Sequence, residues 1–379
     1  MWRLRKNTVP GIGIFFCSLF LFFFNAFARS VEVQFHTTHL HDTLDYTRLE
    51  RIGVTKLIYR VFQDNRRNGG LYFKNTQFKT LNPYLEQLIA EFKFGKIKLC
   101  AWMVGRNFKW TTNPLLFDYR YKNGNRQLVP KLDLFNPDAI QKIIAVYKEL
   151  ASHKIDCILI QDDFTLRHNE GFSNWGKAQF AVAFKVPARE NLMMAANTIY
   201  NLNWKRLKIN QVNKVLKLIV ENCKKVNSAL KLGINIYYET PIRVEEAEAW
   251  YSHNLREILD TGIDYIYLMS YHRQIKKEMG LSETRNRMLF KQIVDRAYDI
   301  CKEKLIVKIQ IRDWETGRRI PASEIKAYLN LIQQQVERIC FTPVKVRDFD
   351  YLEELIMEPR RHAKTREEKE KDREKEGDR

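Results

Sequence analysis

The segment Cys157 to Phe164, CILIQDDF, ends an apolar run in Gln161 and two adjacent carboxylates, Asp162 and Asp163. Carboxyl groups held near one sugar linkage can hydrolyse it: one protonates the leaving oxygen, and a second group stabilises or attacks the oxocarbenium-like centre. Neighbouring strand residues face opposite ways, so one aspartate should face a site and the other should point into the shell around it. The reading prefers Asp163 as the acid and leaves Asp162 as the alternative; capping of the following loop is the plainer role for both. The second group can come from Glu239 in NIYYETP, from Asp64 in VFQDN or from Asp313 in IQIRDWE, with Asp64 and Asp313 otherwise expected to contact substrate, although each of the three could instead hold a nearby arginine, Arg243, Arg66 or Arg312. Trp102 in CAWM, Tyr237, Tyr271 beside His272, and Trp314 complete a ring of aromatic and polar groups. Trp102 and Trp314 are the expected sugar platforms, with core packing as the rival role. The cluster FHTTHLHD, with His36, His39, His41 and Asp42, lacks a matched set of metal ligands and reads as a polar rim, so neither a metal nor a cofactor is expected.

Eight short apolar runs could position these groups: Val31 to His36, Lys56 to Phe62, Lys96 to Met103, Asp156 to Ile160, Lys231 to Tyr237, Asp264 to Met269, Leu305 to Ile311 and Arg338 to Thr342. Helical periodicity fills the intervals, as in Asp138 to His153, where Ile140, Ile143, Ile144, Tyr147 and Leu150 share a face. Other helices are expected at Pro83 to Phe94, Gln211 to Val226, Glu245 to Leu259, Met288 to Lys302 and Ala322 to Val336. Strands apolar enough to be buried on both faces, alternating with helices, predict an α/β fold of the (β/α)₈ TIM-barrel type. No GxGxxG follows the first strand, and no GxSxG, Walker A, HExxH or EF-hand pattern occurs. In such a barrel the chemistry lies at the C-terminal ends of the strands, where all the candidate carboxylates fall. Two long loops there, Val104 to Asp133 and Phe164 to about Ile209, are rich in aromatic residues. Phe108, Trp110, Trp175 and Trp204 among them could stack on sugars or form satellite cores.

The chain has 379 residues, 45% of them hydrophobic, which suits one large core and excludes a disordered or collagen-like whole. Lysine and arginine outnumber aspartate and glutamate by 64 to 45, a net charge of +19 that favours polyanionic neighbours and says nothing of fold. At the N-terminus, basic residues, an apolar run from Gly11 to Phe24 and Ala26-Phe27-Ala28 describe a signal peptide over residues 1–28. The run is shorter than the roughly 20 apolar residues that span a bilayer, so export to the periplasm or cell envelope is expected. Cleavage leaves five cysteines; Cys100 and Cys157 lie inside apolar runs and read as buried free thiols. A barrel domain over 29–357 is followed by a tail, 358–379, of charges of both signs and no large apolar residue after Met357.

In order along the chain, CAWM, LFNPDAI, ILIQDDFTLRHNEGF, NIYYETP with EAEAWYSHNL, IYLMSYH and IQIRDW resemble the C-terminal hydrolase domains of the PgaB family, glycoside hydrolase family 153, which belong to periplasmic poly-β-1,6-N-acetylglucosamine deacetylases. The resemblance runs from about Val31 to Tyr351. It implies a (β/α)₈ barrel that cleaves partially de-N-acetylated poly-β-1,6-N-acetylglucosamine from within the chain. It also implies a catalytic acid in the Asp162–Asp163 cluster and tryptophans at Trp102 and Trp314 along the groove. The family usually has histidine where this chain has Gln161, and its metal-dependent deacetylase domain is expected to have no counterpart here. The expectation is an exported, endo-acting glycosidase with a polysaccharide partner, no nucleic acid, and possible contact with export machinery or the membrane periphery. The alternative is a catalytically silent barrel that binds exopolysaccharide and assists its export.

Overall fold

The computed structural model describes residues 30–36, 44–91 and 95–356. The expected leader, the tail, and His39, His41 and Asp42 lie outside the described residues. The eight apolar runs form the staves of one closed barrel: β1 (Ser30–Phe35), β2 (Val54–Arg60), β3 (Lys98–Met103), β4 (Cys157–Ile160), β5 (Lys231–Tyr237), β6 (Tyr265–Met269), β7 (Leu305–Gln310) and β8 (Arg338–Val344). All pair in parallel with their sequence neighbours, and β1 closes on β8. Each stave is buried from both sides because helices cover the outside while alternate residues fill the interior.

The helices start where short polar side chains satisfy free backbone N–H groups. Asn136 accepts from the amides of Asp138 and Ala139 ahead of Pro137–Ala151, and Ser173, Thr198 and Ser282 cap Asn174–Phe184, Ile199–Val226 and Glu283–Cys301. The helix Pro137–Ala151 buries Ala139, Ile143, Val146, Tyr147 and Leu150, while Ile140 and Ile144 are half-buried, so its inner face is rotated slightly from the expected one. Burial of each large aliphatic side chain contributes about 1.5–3 kcal/mol. The helix expected over Glu245 to Leu259 is two, Val244–Tyr251 and Leu255–Leu259. Ser252 takes a left-handed φ of 56° and stops the first, and Asn254 accepts from Arg256 and Glu257 to start the second.

The cysteine expectation is corrected. Cys100 on β3 and Cys157 on β4 are directly paired in the sheet register and joined as a disulfide, not held as free thiols. Register on adjacent staves brings their Cα atoms to 4.4 Å, a separation in the disulfide range that sequence spacing does not reveal. Cys223, Cys301 and Cys340 are buried and free.

Candidate active site

A cavity of about 380 Å³ opens at the C-terminal mouth of the barrel. Its wall includes Asp162, Trp102, Tyr237, Tyr271 and Trp314, five of the nine residues singled out from sequence. Asp162 follows β4, and its Oδ2 accepts a hydrogen bond from the Tyr237 hydroxyl at 3.0 Å. Tyr237 ends β5 and stacks on Tyr251 with ring centroids 4.1 Å apart and planes 13° from parallel, which fixes the phenol that holds the carboxylate. Burial, with the Asp162 charge adding to it, pushes the Tyr237 hydroxyl far above its ordinary value, so it remains a donor.

Asp163, preferred as the acid from sequence, faces away. It is buried, and its carboxylate accepts from the backbone amides of Gly105 at 2.7 Å, Arg106 at 2.9 Å and Asn107 at 2.5 Å. A Cβ at position 105 would meet Asp163 Oδ1 at 2.6 Å and the Phe164 backbone nitrogen at 2.8 Å, so glycine is what permits the approach. Burial raises the Asp163 carboxyl while the three amides pull it down. Its position joins the end of β4 to the turn after β3.

The other candidates stand outside the cavity wall. Glu239 lies behind the tyrosine stack, where its Oε1 accepts from the Tyr251 hydroxyl at 3.3 Å and burial raises its carboxyl. Asp64 sits on an adjoining shelf that shares His36 and Arg60 with the cavity, paired with Arg60 at 2.8 Å and Lys109 at 3.7 Å. Asp313 closes the turn after β7, accepting from the amides of Glu315 and Thr316 and pairing with Arg273 at 3.3 Å. The Thr316 amide is the main cause of its lowered carboxyl. The ion-pair and turn roles weighed from sequence thus describe Asp64 and Asp313, although the partners are Arg60 and Arg273.

Trp314 is 44% exposed and Trp102 only 7%, with the His36 ring between them at 5.4 and 4.7 Å. His36, read from sequence as part of a polar rim, is a wall residue. Burial, with Lys308 and Arg60 nearby, holds its imidazole down at about 3, so it is neutral. Among the described residues no group of three or more His, Cys, Asp or Glu side chains could hold a metal ion. Sequence reasoning missed Gln34, Arg60, Asn235 and Lys308, which also line the cavity. The available signal was a polar residue at an inward position within an otherwise apolar stave, as in VEVQF, LGINIY and LIVKIQ.

Of the four loop aromatics named from sequence, Trp175 is 48% exposed and the other three are buried. Trp204 is buried against Phe135, Phe172 and Phe180, and Phe108 is buried against Phe78 and Trp110, so these aromatics form satellite cores. The loop after β3 contains an antiparallel hairpin, Phe117–Lys122 with Asn125–Leu132. The loop after β4 is laid along its edge through Tyr121 N–H to Asn169 O at 2.8 Å and Phe172 N–H to Tyr119 O at 2.9 Å. Beneath this sheet the buried Arg106 guanidinium reaches Asp118 at 2.5 Å, Glu170 at 3.1 Å and the carbonyls of Leu132 and Thr165, and Lys131 meets Glu170 at 2.6 Å.

Residues 38–341 match the family described as hypothetical glycosyl hydrolase family 13. No curated protein matches the chain. The structure is similar to the glycoside hydrolase domain of PgaB (BpsB) from Bordetella bronchiseptica, with a TM-score of 0.69 and 17% identity over 86% of this chain and 98% of that one. It is also similar to β-galactosidases from G. stearothermophilus (TM-score 0.61, 10% identity, 84% of this chain and 51% of that one) and Bacillus circulans sp. alkalophilus (TM-score 0.61, 11% identity, 83% and 50%). At these identities the likenesses establish the barrel fold.

Proposed function

We propose, from the premise that the chain belongs to hypothetical glycosyl hydrolase family 13, that it is an exported glycoside hydrolase that cuts an amino-sugar exopolysaccharide internally, with Asp162 as the acid. The observation that carries this reading is that Asp162 is the one carboxylate on the cavity wall among the described residues, at the mouth where barrel enzymes place their chemistry. As the general acid Asp162 would give a proton to the glycosidic oxygen as the bond to the anomeric carbon breaks, and take one back from the water that completes the hydrolysis. Tyr237 holds the carboxyl in place, and Glu239 acts through Tyr251 as a positioning residue.

The second role in glycoside hydrolysis can fall to the substrate, whose own 2-acetamido oxygen can attack the anomeric carbon as the leaving oxygen departs, giving a cyclic oxazolinium ion that water then opens to the new reducing end. That route needs only one enzymic carboxyl group and fits an N-acetylhexosamine polymer. The resemblance puts poly-β-1,6-N-acetylglucosamine first for assay. Export is supported by the leader-like N-terminus and by the Cys100–Cys157 disulfide, since such bonds persist in oxidising compartments.

A second reading, a silent barrel that binds exopolysaccharide and assists its export, is favoured by the same lone carboxylate and by Gln161 beside it. Reducing-end release from a polysaccharide panel separates the two. Release by the wild type that falls about 10²- to 10⁴-fold in Asp162→Asn supports the hydrolase; binding without release supports the silent barrel.

A further inference from the structure

Two lysines on the staves point into the barrel, and the fold treats them differently. Lys56 on β2 has a counterion, with its Nζ 2.6 Å from Glu32 Oε1 and 3.2 Å from the Tyr267 hydroxyl. Lys308 on β7 is 2% exposed on the cavity wall, and it donates to the neutral Asn235 Oδ1 at 2.8 Å. Among the described residues no carboxylate forms an ion pair with it. A buried ammonium without a counterion is costly, and buried polar groups are otherwise nearly always satisfied. On the same wall Gln34 is fully buried with neither amide atom bonded, and the indole N–H of Trp102 has no acceptor. Lys308, Gln34 and Trp102 are thus three donor-bearing residues of one wall, and among the described residues none of them is hydrogen-bonded to a carboxylate.

We propose that this end of the cavity is a pocket for a carboxylate carried by the bound sugar, received by Lys308 with Gln34 and Trp102, so that the substrate class is an acidic exopolysaccharide. The carboxylate belongs to a uronic acid or to an acidic substituent on a hexosamine. This inference rests on the hydrolase reading of the same cavity and narrows its substrate. Burial holds the Lys308 ammonium down at about 8, opposed in part by the nearby carboxylates of Asp162 and Glu32, which leaves it mostly protonated at neutral pH. The net charge of +19 draws a polyanion and repels a polymer of free glucosamine amines.

The test uses the full chain carrying Asp162→Asn, so that ligand is not turned over, and measures binding by calorimetry. The probes are β-1,6-linked glucosamine tetrasaccharides with N-acetyl, N-succinyl or free amino groups, and a tetrasaccharide containing glucuronate. At least one acidic probe is expected to bind about tenfold or more tightly than the N-acetyl probe, as a charge-assisted hydrogen bond implies, with the free amine weakest. Adding Lys308→Met should erase that preference and leave the melting temperature unchanged or higher. Gln34→Glu, which supplies a counterion from the protein, should erase it as well. Equal or tighter binding of the N-acetyl probe, or a preference that survives Lys308→Met, overturns the pocket. Cleavage by the wild type, with no preference for acid, sinks this inference and leaves the hydrolase standing. Acidic probes bound in the expected pattern but never cut by the wild type do the reverse.

Discussion

Exchanging each of the adjacent aspartates for asparagine should separate stability from turnover. In Asp163→Asn the side chain keeps its size but retains one acceptor oxygen, while three backbone N–H groups converge on it, two of them on Oδ2 and one on Oδ1. At best the amide oxygen serves two of them and the NH₂ group faces the third donor head-on. The strands Asp163 links stay folded around a lost charge-assisted bond worth about 2 kcal/mol, and the two surviving bonds weaken by about 1 kcal/mol each, a total of roughly 3–5 kcal/mol. For a domain of this size that is a fall in melting temperature of roughly 4–7 °C. Asp162→Asn removes no buried hydrogen-bond acceptor of that kind, because its amide oxygen can still receive the Tyr237 hydroxyl. It should melt within about 1 °C of the wild type and lose turnover about 10²- to 10⁴-fold. Differential scanning calorimetry and reducing-end assays on both variants are sufficient. An Asp163→Asn protein that melts like the wild type but is inactive, beside an active Asp162→Asn protein, would refute the assignment.

Three further outcomes are expected. Lys308 titrates near 8 in the fold and near 10.5 when unfolded, so between those values the unfolded chain holds a proton that the folded one has lost, and wild-type stability rises with pH across that window. The stability advantage of Lys308→Met should therefore be largest at pH 7 and shrink toward pH 10, as read from melts at both values; a constant advantage would remove the buried ammonium from the account. Replacing Cys100 and Cys157 together by alanine opens a link across 57 residues of sequence, and urea unfolding should show a loss of about 2–4 kcal/mol; an unchanged midpoint would mean that stave pairing alone suffices. Trp314→Ala should raise KM about tenfold or more with little change in melting temperature, because the ring is nearly half exposed above the cavity; an unchanged KM would remove it from the binding surface.

The barrel was legible because each stave is a continuous apolar run flanked by helical periodicity, and every expected run became a stave within a few residues. The mouth of the barrel was equally legible, since Asp162, Trp102, Tyr237, Tyr271 and Trp314 each sit at or just beyond the end of such a run. The phase of the Asp162–Asp163 pair was not. Alternation along a strand says that neighbours diverge, but the strand ends at Ile160, and the backbone beyond it is set by the amides of Gly105, Arg106 and Asn107. Lys308 and Gln34 were missed because a single polar residue in an apolar stave does not say whether it meets a partner across the barrel. The disulfide depends on lateral register, and Trp204 and Phe108 were ambiguous because an aromatic loop can close on itself as easily as onto a sugar.

Barrel enzymes gain new specificities through changes in the loops at their catalytic mouth, which are often treated as independent inserts. Here the hairpin after β3 and the segment 169–172 share one set of strand pairings, and Arg106 from the first loop is charge-balanced by Asp118 from the same loop and Glu170 from the second. Moving either loop alone into another barrel would carry an exposed sheet edge and an unbalanced buried charge with it. The unit of exchange, for an engineer or for a lineage, is the pair of loops together with Gly105 and Asp163, so variation in the groove should be inherited in two-loop blocks.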